Sequence, residues 1–280
     1  MGRDRGSILD RFPADGTVLI GNEELTTPYR VEDGAMLLIA GTCDGGAASV
    51  VTEPLGLDPV RTDDGRAVAA LWIADFTTAN LGPHGELQLS IFAEQHSGDV
   101  VSAGPWAFYE AVTRASAPWM VCHRLWNTTP RVVRYNDEHL GLAVELAGGG
   151  LRRDGAAWAF DFTDPQGQRL AEGTIDLPRR TSPGDAWRLS RAIGLRAASA
   201  LARETPSVSV VSPRLGESGA LRVAATHTQA GRAVLRNWNA QDHLALRDPA
   251  LEGLAFAPTM VAAFTEVRFV YLRPDELPRL

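Results

Sequence analysis

Residues 84–93 (HGELQLSIFA) alternate apolar and polar side chains along most of their length. Leu87, Leu89 and Ile91 share one face; Glu86, Gln88 and Ser90 share the other. A period of two is the mark of a strand with two unlike faces. Strand patterns recur along the chain. Arg66–Phe76 (RAVAALWIADF) is a longer apolar run and reads as a buried strand. Residues 106–113, 131–135, 140–146, 156–162, 168–177, 221–228 and 267–272 are strand-like too. Gly-rich and Pro-rich turns (AGGG, RRDG, DPQG, SPGD) separate several of them. Helix signals are fewer. Asp44 caps a candidate helix over 44–52 that stops before Pro54. Ser116 and Pro118 open a second over 116–126, which places Trp119, Cys122 and Trp126 on one face. Residues 187–204 read as a strand running into a helix. Closely spaced strands with few helices point to one antiparallel barrel or sandwich. The 147–186 hairpin region reads as an elaboration of that core.

A chain of 280 residues buries roughly 75% of the surface its unfolded form exposes, so it needs no disulfide or metal staple. One domain over 1–280 is expected. No run of about 18 apolar residues exists, which argues against a membrane partner. The start, MGRDRGSILDRF, has no long apolar stretch, so no signal peptide is expected and the cytoplasm is the default compartment. A net charge of −7 argues against a nucleic-acid partner. Cys43 and Cys122 are the two cysteines, and neither HxH nor HExxH occurs, so no metal site is expected. No motif implies a cofactor: GxSxG is absent, and the Gly runs GTCDGG and AGGG lack the dinucleotide-binding spacing. All 27 Lys-plus-Arg side chains are Arg. Arg stays protonated and cannot act as an amine nucleophile. Schiff-base chemistry from a side chain is therefore excluded, and so is a P-loop.

Pro28-Tyr29, then AMLLIAGTCDGGAASVVTEPLGLDP, then ADFTTANLGPHGELQLSIFAE, resembles the acetoacetate decarboxylase-like superfamily. The most specific pieces are EPLGLDP (Glu53 to Pro59) and LGPHGEL (Leu81 to Leu87). The likeness continues more weakly through WAFYEAV, CHRLW and the tail MVAAFTEVRFVYL. It covers residues 28–146 and, less closely, 220–275. The resemblance implies an α+β, mainly β fold, with an antiparallel β-barrel-like core, a few flanking helices and an interior pocket. It also implies a small-molecule enzyme that forms a homo-oligomer. The family's decarboxylation runs through a Lys Schiff base. Here the two Lys positions hold Arg131 and Val132, and the family's Arg near Gly34 is absent. Its acidic residue is kept as Glu86.

These residues set the candidate site. Glu86, on a face that lines a barrel, would be a buried carboxyl able to transfer protons; on a surface strand it would be an ordinary glutamate. Arg131, and Arg124 as a substrate-binding residue, would hold an anionic oxygen; either would otherwise be a solvated cation. His84 and His123 are candidate general acids or bases, although a lone His is more often structural. Trp72, Trp126 and Gln88 are candidate substrate-binding residues, the two indoles as an aromatic wall or as packing. Cys122 reads as core. The expected reaction is a lyase, cyclase or dehydratase step of secondary metabolism on a carbonyl-containing, polyketide-like small molecule. The alternatives are a cyclase or pericyclase acting mainly by shape, and a non-catalytic ligand binder.

Overall fold

The structure is a computed structural model and describes residues 7–95, 100–113, 118–201, 208–216 and 219–273. The chain opens with α1 (Ile8–Arg11) and a hairpin of β1 (Gly16–Ile20) and β2 (Glu23–Thr27). It continues through β3 (Tyr29–Cys43), α2 (Gly45–Thr52), β4 (Asp58–Pro59), β5 (Ala67–Ala79) and β6 (His84–Glu94). Next come α3 (Ala107–Val112), β7 (Trp119–Asn127), α4 (Pro130–Arg134) with a π-helical extension over Tyr135–His139, and β8 (Val144–Leu146). Three strands follow, β9 (Gly148–Asp154), β10 (Ala157–Thr163) and β11 (Arg169–Asp176), then α5 (Pro183–Ile193) and α6 (Leu195–Leu201). The last elements are β12 (Val208–Val211), β13 (Val223–Asn237), β14 (His243–Leu246), α7 (Pro249–Glu252) and β15 (Ala257–Leu272).

Nine strands pair in the order β4-β6-β5-β3-β15-β13-β12-β7-β8, and β6 also pairs with β7. The order thus returns on itself, and its strands surround an interior. Most pairs are antiparallel. β7 departs from the expected all-antiparallel pattern, running parallel to both β12 and β8. Parallel neighbours need a crossover connection, and α4 supplies one between β7 and β8.

A second sheet, in the order β14-β11-β10-β9, lies over the outer face of this ring. Its side chains Leu151, Trp158, Phe160, Phe162 and Ile175 pack with Leu71, Ile73, Leu87, Leu89 and Ile91 of β5 and β6. The opposite faces of the same ring strands turn inward. Met36 and Leu38 of β3, Phe76 of β5, Phe92 of β6 and Phe269 of β15 form the inner core. The alternation seen in residues 84–93 is therefore real, but both faces are buried.

Several sequence-based expectations are corrected. Residues 106–113 form α3 rather than a strand. A short run buried on almost every side shows no periodicity that separates helix from strand. Residues 131–135 are helical as well, because Pro130 opens α4 at a position where its missing N–H costs nothing. Residues 119–126, expected as helix, form β7. The pairing of β6 with β7 shifts between Leu89 and Ser90, so that His123 is an extra residue. Such a bulge turns a spacing of two into three, and the spacing then imitates a helix. Ser116, the expected cap, lies outside the described residues. The strand expected near 187 is absent, and α5 begins at Pro183 with Ser182 as its cap. The helix after Asp44 agrees with expectation: Asp44 Oδ1 accepts from the Ala47 N–H at 2.8 Å. No helix among the described residues is long and apolar enough to cross a membrane.

Candidate functional site

Strand β6 delivers Glu86, Gln88 and Ser90 to the interior, where they are 6%, 3% and 0% exposed. A carboxyl taken out of water binds its proton more tightly. Burial pushes the Glu86 carboxyl up to about 7. One hydrogen bond opposes this: Asn127 Nδ2, from the end of β7, donates to Glu86 Oε2 at 3.0 Å. Asn127 Oδ1 in turn accepts from Asn136 Nδ2 at 2.8 Å. The register puts Asn127 directly opposite Glu86, and the π-helical extension of α4 brings in Asn136.

His84, at the start of the same strand, has both ring nitrogens engaged. Nδ1 lies 2.9 Å from the Gly82 carbonyl, which accepts only, so Nδ1 carries the proton. Nε2 is then the acceptor, and the Tyr29 hydroxyl donates to it at 2.7 Å. Burial holds the His84 pKa below its usual value, which keeps the ring neutral. Tyr29 also packs near Tyr135, with ring centroids 6.1 Å apart. The Tyr135 hydroxyl meets Thr27 Oγ1 at 2.8 Å.

Tyr271 comes from β15 on the far side of the ring, and its hydroxyl is buried without a hydrogen-bond partner. Burial raises its pKa well above the normal phenol value, and Cys122, Glu86 and Tyr29 add to the effect through their charges. The Cys122 thiol is also pushed up, first by burial and then by Glu86. It is a core thiol and not an activated nucleophile. Gln88 Nε2 donates to Ser90 Oγ at 2.6 Å and stands opposite Trp72 in the register. The interior thus gathers Glu86, two asparagines, three tyrosines and a neutral histidine. Such a set can move a proton and donate hydrogen bonds to an oxygen.

The other sequence-derived candidates lie elsewhere. Arg131 is on α4, half-exposed, and pairs with Glu23 at 2.5 Å. Arg124 faces outward and pairs with Glu145 at 3.4 Å. Trp126 is buried in the core between the two sheets, on the face opposite Glu86. His123 sits at the bulge, where burial lowers its pKa and a backbone hydrogen bond with Ala250 opposes that. For Arg124 and Trp126 the bulge is the physical reason, because it turns Leu125 and Asn127 inward and Arg124 and Trp126 outward, whereas Arg131 lies beyond β7 on α4. Sequence reasoning missed Tyr29, Asn127, Tyr135, Asn136 and Tyr271 as site residues. Tyr29 was visible in the Pro-Tyr pair; no local signal marked the others. Among the described residues, no three metal-ligating side chains come together.

No protein-family model matches the chain, and no curated protein matches it significantly by sequence. Solved structures do match its fold. An acetoacetate decarboxylase from Legionella pneumophila subsp. pneumophila str. Philadelphia 1 is 13% identical, covers 98% of this chain and 95% of its own, and superposes with a TM-score of 0.57. A further acetoacetate decarboxylase structure is 14% identical over 88% of this chain and 87% of its own, with a TM-score of 0.53. The enduracididine biosynthesis enzyme MppR, complexed with pyruvate, is 14% identical over 88% of each chain, with a TM-score of 0.52.

Proposed function

We propose that this chain, with the fold of the acetoacetate decarboxylase-like structures, is a small-molecule enzyme in which Glu86 transfers a proton at a carbonyl compound without a Schiff base. The reading treats the strand ring as barrel-like, with its reaction chamber inside. The observation that carries it is one buried carboxyl with a pKa of about 7, hydrogen-bonded by Asn127 and surrounded by neutral donors. A group that is half ionised near neutral pH can both take and return a proton. The absence of Lys from the chain removes the side-chain amine route.

The chemistry follows from these groups. Ionised Glu86 removes a proton from the carbon beside the substrate carbonyl. The C–H electron pair moves to form the enolate, and the negative charge collects on oxygen. The Tyr271 hydroxyl, unpartnered in the interior, would donate to such an oxygen. Protonated Glu86 then returns its proton. Delivery to carbon gives isomerisation, delivery to a hydroxyl departing as its C–O bond breaks gives dehydration, and delivery to the alkoxide formed when the enolate attacks a second carbonyl gives cyclisation. Dehydration is the lyase or dehydratase outcome, and cyclisation the cyclase outcome, expected of a secondary-metabolism enzyme. The carbonyl compound that MppR holds, pyruvate, is in keeping with a carbonyl substrate. The same reading takes the protein to be a single-domain, cytoplasmic homo-oligomer.

Turnover by wild type and Glu86→Gln on a panel of neutral ketones, enones and lactones tests the proposal. The expected result is a loss of about 10²–10⁴-fold in Glu86→Gln. Turnover unchanged in that variant would rule out the proton-transfer role. Ligand binding without turnover in wild type would identify a binder rather than an enzyme.

A further inference from the structure

A space of about 40 Å³ lies in the interior, between α3 and the ring strands. Phe108, Tyr109 and Val112 of α3 form one wall; Met36, Trp72 and Phe264 stand on the strands opposite. The lining is almost wholly apolar. An apolar cavity of about 150 Å³ holds benzene and stays dry, so this smaller one suits a group of one to three carbons.

One lining ring carries a polar group with nothing to bind. The Trp72 indole N–H is buried and has no hydrogen-bond partner. Buried indole N–H groups ordinarily find one, and leaving one unpaired is unfavourable. The register relates this group to the carboxyl. Trp72 stands opposite Gln88, and Glu86 is two residues along the same face. Two strand residues span roughly 7 Å.

We propose that the space beneath α3 is a subsite for the alkyl end of the substrate, and that the Trp72 indole N–H donates to a substrate oxygen there. The substrate class is then a short aliphatic carbonyl compound with a second oxygen near its alkyl end. This rests on Glu86 marking the reacting end.

The probe is 2,5-hexanedione, a neutral six-carbon compound with two carbonyl oxygens. The readout is the Trp72 indole N–H resonance in the ¹⁵N-labelled full chain, assigned by its loss in Trp72→Phe. The expected result is a downfield shift that saturates with added probe. Val112→Leu, which fills the space, should weaken the apparent affinity by about tenfold or more. Val50→Ala, an exposed position on α2 away from this space, provides the control and should leave it within about threefold. No shift in wild type, or an equal affinity in Val112→Leu, would overturn the subsite. So would a resonance already downfield without probe and unmoved by it, which would mean that water alone satisfies the indole. Glu86→Gln separates the two proposals. A retained shift together with undiminished turnover in that variant sinks the acid–base reading and leaves the subsite standing. Glu86-dependent turnover with no indole shift does the reverse.

Discussion

Glu86 in its ionised form costs the native state free energy, because among the described residues the interior replaces water with a single donated hydrogen bond, from Asn127. In the unfolded chain the carboxyl titrates near 4.5; in the folded chain it titrates at about 7. Between those values the native state keeps a proton that the unfolded state has released. Stability is therefore lost as pH rises through that window, and the loss is complete above the folded value. The shift corresponds to about 3 kcal/mol. Glu86→Gln cannot ionise, so its stability relative to wild type should climb by about this amount between roughly pH 4.5 and pH 7 and then level off. Urea titrations across that range provide the measurement, and a difference that does not change with pH would contradict the burial. His84 has the opposite sign. Its pKa is lowered, so acid below the usual histidine range costs stability as the neutral ring is forced to charge. Little of this was legible in the sequence. Glu86 stood out because it followed the Leu-Gly-Pro turn, whereas Asn127 and Tyr271 come from strands far away in the chain.

At the level of elements, β10 shows what an alternating pattern is worth. Trp158, Phe160 and Phe162 are buried between the sheets, while Asp161 faces out and pairs with Arg152 at 2.8 Å. Phe160→Ala should cost about 3–5 kcal/mol, through lost transfer energy and a cavity. Asp161→Ala should cost less than about 1 kcal/mol, because exposed ion pairs contribute little. Denaturant midpoints of the two variants test the contrast, and equal midpoints would mean that the outer sheet is not tightly packed. Elements of this kind were legible from alternation: residues 84–93, 156–162 and 168–177 fall within a residue or so of β6, β10 and β11. β7 was not. Its bulge at His123 breaks the period of two, and the sequence around it then reads with a helical spacing. One inserted residue thus changed the element type and sent Arg124 and Trp126 to the wrong face. α3 and α4 were missed for another reason. Both are short, and a few apolar or β-branched residues suit either state until tertiary contacts decide.

For the molecule as a whole, the two-layer arrangement makes the outer sheet part of the core and not an appendage. Leu87, Leu89 and Ile91 of β6 are fully buried, and the residues that cover them come from β9, β10 and β11. Replacing residues 148–176 by a short Gly-Ser linker would uncover that face. The expected outcome is loss of a cooperative thermal transition, with aggregation, because a large exposed apolar patch promotes association. A truncated chain that melts cooperatively at the wild-type temperature would show the outer sheet to be a separate unit, against the single-domain reading.

The sequence by itself determined the mainly-β class, the strand that carries Glu86, the helix cap at Asp44 and the absence of any Lys side chain. Each depends on residue type or on spacing along one segment, and such properties do not change when the chain folds. Only the tertiary structure decided that the polar face of β6 points inward, that β7 closes the strand order beside it, and that the arginines expected near the carboxyl face away. Those outcomes rest on strand register and on a single bulge. Register is a relation between distant segments, and its energy comes from burying both faces at once, which no local pattern records.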